Sequence, residues 1–154
     1  SVAPVIVRTT PPSPIRRMHS RVGPRLIEYY RGWVEVGCAA GSDPDSFGET
    51  VTADVSALLA VMERVNLGKF VAQSKFQEKP EAFHATEGDR AGLIELIVKR
   101  DREAKVYELA RQLARNYEFD ENQAVGLFDF MIRTTIDIEV DYLQQRLKEA
   151  GELP

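Results

Sequence analysis

Apolar residues recur every three or four positions along most of this sequence, a period that suits helices and offers a β-sheet no alternating face to bury. From Ser46 the repeat runs through Val51, Val55, Leu58, Met62 and Val65 toward Lys79, and Ser46 with Glu49 has the spacing of a capping box. Pro80 ends this helix, because proline lacks an N–H and crowds the preceding turn. A second predicted helix starts near Thr86-Glu87-Gly88-Asp89 and reaches about Tyr117, carrying Leu93, Leu96, Ile97, Val106, Leu109 and Leu113. Asp120 and Gln123 form another capping pair, opening a third helix that lasts to Gly151. The expected fold is all-α: three long helices, each roughly 45 Å if thirty residues long.

The first fifty residues read differently. Pro4, Pro11, Pro12 and Pro14 favour extended backbone, so residues 1–23 are expected to form a Pro/Arg-rich arm and 24–154 a single helical domain. Pro24 suits a first helical position, and Leu26, Tyr29, Tyr30, Trp33 and Val36 suggest a short extra helix over 25–40.

Composition narrows the function. The 154 residues are 44% hydrophobic, enough for one domain with a core, and the net charge of −4 argues against a nucleic-acid or anionic-membrane partner. Any bound anion must rest on a few placed cations. Cys38, His19 and His84 have no zinc spacing, so neither metal nor cofactor is expected. No apolar run is long enough for a membrane span, and a cytoplasmic protein is expected, with an exported mature form as the alternative because the chain starts at Ser1.

Several polar residues interrupt the apolar faces. Arg64 and Lys75 are eleven positions apart, three turns plus about 20°, so they share one helix face with Ala57, Ala60, Val61, Gly68 and Val71. Glu103 falls on the stripe of Leu96, Val106, Ala110 and Leu113, with Arg102 at its edge. On the third helix Glu139 adjoins the stripe Ala124, Phe128, Met131, Thr135, Ile138 and Tyr142, where a carboxylate is costly to bury unless satisfied. This pattern also suits ion pairs at helix seams or cations snorkelling to solvent.

In order and spacing these residues resemble the AroQ-type chorismate mutases, all-helical enzymes that convert chorismate to prephenate. The resemblance rests on Arg64, Val71-Ala72 and Lys75, then Arg102-Glu103, then Phe128 to Ile132 with Thr135 and Glu139, covering about residues 50–148. It implies a dianionic substrate that rearranges through a compact chair with charge developing on its ether oxygen, so that the protein holds the chair and stabilises that oxygen. By resemblance, Arg64 clamps a carboxylate, Lys75 bridges a carboxylate and the ether oxygen, and Glu103 accepts from the ring hydroxyl. Arg102 orders the site, Thr135 lines it, and a protonated Glu139 donates to the ether oxygen. Lys75, Glu139 and Arg64 are the expected catalytic residues, and Arg102, Glu103 and Thr135 the expected substrate contacts, in a homodimer.

The sequence departs from the family in three places. Lys75 and Arg102 are 27 positions apart, about four helical turns more than in short members, with the insertion over 76–93. Either the hairpin is extended or Asp89-Arg90 replaces Arg102-Glu103, and the intact downstream spacing favours the first register. Lys99 stands where the family usually has an acid, and Phe47 where dimeric members have an arginine. Arg16, Arg17, Arg21, Arg25 and Arg31 are candidates for that missing cation, or for a partner-binding arm. Alternatives are an isochorismate pyruvate-lyase and a non-catalytic, mutase-like assembly protein.

Overall fold

The computed structural model describes residues 15, 18, 22–38, 40–41 and 45–151, and all regular structure among them is helical. The helices are α1 (Val22–Gly37), α2 (Phe47–Asn66), α3 (Gly68–Glu78), α4 (Pro80–His84), α5 (Arg90–Ile97), α6 (Arg100–Asn116) and α7 (Glu121–Gly151). Most of the expected arm, including Arg16, Arg17, His19 and Arg21, lies outside the described residues. Ile15 and Met18 pack against the core.

The third expected helix forms as one piece. Asp120 accepts a 2.8 Å bond from the Gln123 amide and opens α7, whose 31 residues span about 46 Å. The first two expected helices are each divided. α2 and α3 join at Leu67, which keeps helical dihedrals, and the Gly68 that follows lies so close to α7 that a Cβ there would sit 2.9 Å from Thr135 Cγ2. α5 and α6 separate at Val98 and Lys99, both extended, after the β-branched pair Ile97-Val98. The insertion adds α4, with Pro80 at its first position, and packs Phe83 against Phe76 at 5.9 Å between ring centroids.

α7 is the axis of the molecule, packing against each of the other six helices. Its stretch from Ile138 to Leu143 is buried almost all round, including Val140, which an amphipathic stripe would not identify. α6 meets α7 through Ala110 and Ala114 rather than through Leu109 and Leu113, which are 49% and 37% exposed, because small residues allow the closer approach. α1 is fastened by its aromatics. Tyr29 stacks on Phe130, the Trp33 indole donates to the Gln123 carbonyl at 3.0 Å, and the Tyr30 hydroxyl donates to Asp54 at 2.7 Å. That hydrogen bond and, above all, burial push the Tyr30 phenol up to about 12.

Candidate active site

A cavity of about 410 Å³ lies where α3, α6 and α7 meet, reached by the last turn of α2 and the α5–α6 break. Arg64, Lys75, Arg102, Glu103, Thr135 and Glu139, the six residues singled out in the sequence, all border it. They come from four helices, so the bundle, not any local segment, brings them together. Val71, Val106, Leu109, Phe128, Met131 and Ile132 supply apolar wall between them. The small residues on the Arg64–Lys75 face serve a different purpose from the room for an anion that their size suggests. Ala57 and Ala60 do not border the cavity, and Gly68 is filled against Thr135 and Glu139.

Lys75 sits between two acceptors. Its Nζ donates to the Ile97 carbonyl at 2.9 Å and to Glu139 Oε2 at 3.2 Å. The Ile97 carbonyl is open to a side chain because the helix stops there. In a continuous helix the amide four residues on would take it. Two of the three ammonium donors are occupied, and one is left for a ligand.

Glu139 is 7% exposed, and burial raises its pKa above the ordinary carboxylate value. Lys75, by charge and hydrogen bond, and Arg64, by charge, pull the other way, and burial prevails. This carboxyl therefore holds a proton to higher pH than an exposed glutamate, the condition for donating a hydrogen bond. Thr135 spends its hydroxyl hydrogen on the Met131 carbonyl of its own helix at 2.7 Å, which leaves its oxygen as an acceptor toward the cavity wall.

Glu103, in the first turn of α6, is braced from below. Tyr107, one turn on, donates to Asp129 on α7 at 2.8 Å, and Asp129 is also 2.8 Å from Arg133. The link holds the helix bearing Arg102 and Glu103 in register with the one bearing Thr135 and Glu139. Asp89 and Arg90, the other register, are used elsewhere: Asp89 caps α5 through the Gly92 amide at 2.9 Å, and Arg90 pairs with Asp137 and Asp141. Arg25 also pairs with Asp137, and Arg31 with Glu35, so neither of these arginines borders the cavity. Phe47 begins α2, 71% exposed and away from the site.

One wall residue runs against the sequence reading. Lys99, noted there as standing where the family usually has an acid, borders the cavity. The wall therefore carries four cations, Arg64, Lys75, Lys99 and Arg102, against Glu103 and Glu139. The signal for it in the sequence is the β-branched Ile97-Val98 pair followed by five charged residues, a boundary rather than a helix interior. Among the described residues no group of three or more His, Cys, Asp or Glu is placed to hold a metal ion.

Residues 48–140 match the family model of chorismate mutase type II. The chain is 37% identical over 123 residues to a chorismate mutase of Emericella nidulans, covering 70% of this chain and 46% of that protein. It is 32% identical to a chorismate mutase of Trichoderma parareesei, covering 70% and 47%. Among solved structures it resembles a chorismate mutase from Candida albicans in complex with L-Trp, with a TM-score of 0.76 and 25% identity over 82% of this chain and 54% of that one. The chain thus spans about half the length of the curated relatives it matches.

Proposed function

The chain belongs to the chorismate mutase type II family, and from that premise we propose that it rearranges chorismate to prephenate in the cavity between α3, α6 and α7. The observation that carries this reading is the pairing of Lys75 with a buried Glu139 whose carboxyl is held toward its protonated form. The reaction is a concerted Claisen shift in which the ether C–O bond breaks as a C–C bond forms, with no proton transferred. What lowers its barrier is confinement of the chair and donors aimed at the ether oxygen, where negative charge grows. Lys75 and protonated Glu139 are those donors. Arg64 holds a carboxylate, Glu103 accepts from the ring hydroxyl, Arg102 orders the approach, and Thr135 lines the floor. The apolar wall excludes water and strengthens each of these interactions.

Incubating the purified protein with chorismate and identifying the product tests this directly. Prephenate is expected, and Arg64→Ala is expected to lower turnover. Pyruvate as the product would assign a lyase instead, and no consumption of chorismate or isochorismate would overturn an enzymatic role in favour of assembly.

We also propose a homodimer of a single helical domain, residues 24–154 with α1 reaching back to Val22, preceded by an arm. Phe47, Val51, Val55 and Leu59 form a stripe along α2 at four-residue spacing, each at least 43% exposed, and a second copy would cover it. Light scattering that gives a monomer mass would refute this.

A further inference from the structure

Resting on that reading, we propose that Lys99 is a substrate-binding residue, taking one carboxylate of the dianion while Arg64 takes the other. It supplies from within the fold the cation that the N-terminal arginines were candidates to provide.

The argument begins with backbone geometry. Ile97, Val98 and Lys99 all border the cavity although they are consecutive. On a helix each would be turned by about 100° from the last, and three in a row could not face one space. They do so because the chain is extended at Val98 (φ −78, ψ 135) and Lys99 (φ −125, ψ 91). The break opens the Ile97 carbonyl to Lys75 and turns Ile97 and Val98 to the same space as Lys99, which as N-cap of α6 lies one turn before Arg102 and Glu103 on the face that lines the cavity.

Charge accounting points the same way. Lys75 is engaged by Glu139 and the Ile97 carbonyl. Lys99 forms no ion pair with any described residue, although Glu95 and Glu103 lie one turn to either side in sequence and Asp101 two positions on. It is also the N-cap residue of α6, where the helix dipole is positive and a cation is disfavoured. A cation in that position, on a cavity wall, without a carboxylate partner, suits a ligand that brings its own carboxylate. Lysine fits this role as a compact charge on a flexible stem that can follow the substrate into a half-open pocket.

A carboxylate keeps its charge throughout the rearrangement, so Lys99 should bind the ground state and the transition state alike. Its loss should appear in KM rather than in kcat. Steady-state kinetics with chorismate on the full chain test this, using Lys99→Gln, Lys99→Arg, and Lys105→Gln as a control for net charge on an exposed part of the same helix, away from the cavity. Lys99→Gln is expected to raise KM about tenfold, the loss of one charge-assisted hydrogen bond, with kcat within about twofold. Lys99→Arg should recover most of the affinity, and Lys105→Gln should change nothing. If the parent protein is active and Lys99→Gln keeps its KM, or shifts it only as much as Lys105→Gln does, the assignment of Lys99 falls while the proposed activity stands. A fall in kcat at constant KM would also overturn it, placing Lys99 at the developing charge instead. A parent protein that leaves chorismate untouched removes both proposals together.

Discussion

Helices α3 and α7 are joined by two polar links a short way apart, and they behave in opposite ways. At one, the Tyr142 hydroxyl donates to Gln73 Oε1 at 2.6 Å, with Tyr142 1% and Gln73 5% exposed. At the other, Lys75 meets Glu139 at 3.2 Å, with 26% and 9% of the side chains exposed. The first link is neutral and closed, sealed beneath the cluster of Ala72, Phe76, Val140 and Leu143. The second is charged, borders a cavity, and leaves a lysine donor unused. A neutral buried bond adds stability and specifies one packing, whereas a buried ion pair at a cavity edge yields little net stability and keeps strong electrostatics ready for a ligand.

The largest expected effect that would break this contrast lies on the charged side. Lys75→Met should lower kcat by about 100- to 1000-fold, the loss of one donor to a developing oxyanion, while the melting temperature moves by only a few degrees because Glu139 can take up a proton. A large loss of stability with activity retained would reverse the roles of the two links. Next, turnover should decline as pH rises through the elevated pKa of Glu139, since only the protonated carboxyl donates, with Lys75 and Arg64 opposing that elevation. Glu139→Gln, whose amide donates at every pH, should abolish this alkaline limb, and a pH–rate profile identical to that of the parent would show that Glu139 is not the donor.

Gly68→Ala probes the backbone beside the charged link. The new methyl would press on Thr135 Cγ2 at 2.9 Å and come within 3.3 Å of Glu139 Cγ and the Thr135 carbonyl. Overpacking of this kind costs about 1–3 kcal/mol, so both the urea midpoint and kcat should fall. The smallest effect belongs to Tyr142→Phe, which strands the Gln73 oxygen at a cost of about 1–2 kcal/mol. It should shift the urea midpoint and leave kcat and KM within twofold.

Much of the site was legible because each of its helices announces itself by period and by polar residues out of place. Arg64 and Lys75 could be put on one face by arithmetic, and Glu139 stood out as a carboxylate beside an apolar stripe. The division at Leu67 was not legible, since Leu67 keeps helical dihedrals, and the Ile97-Val98 pair marks a boundary without showing that the freed Ile97 carbonyl meets Lys75. Lys99 stood out in the sequence only as a departure from the family pattern. Its place at the wall agrees with helical phase, three and four positions before Arg102 and Glu103, and what the tertiary structure adds is that Ile97 and Val98 reach the same cavity through extended backbone. Leu96, Leu109 and Leu113 were expected to be core and are partly exposed, because the core on α6 is made by its alanines.

The sequence by itself determined an all-helical chain, the limits of its longest helix, and the few cations on which a bound anion could rest, because periodicity, capping chemistry and proline act over a few residues. Tertiary structure decided which of those residues share one cavity, that Lys75 rests between Glu139 and a freed carbonyl, and that burial prevails over two cations at Glu139. Those outcomes depend on distances between helices far apart in the chain and on the water excluded between them, and neither is set by local spacing.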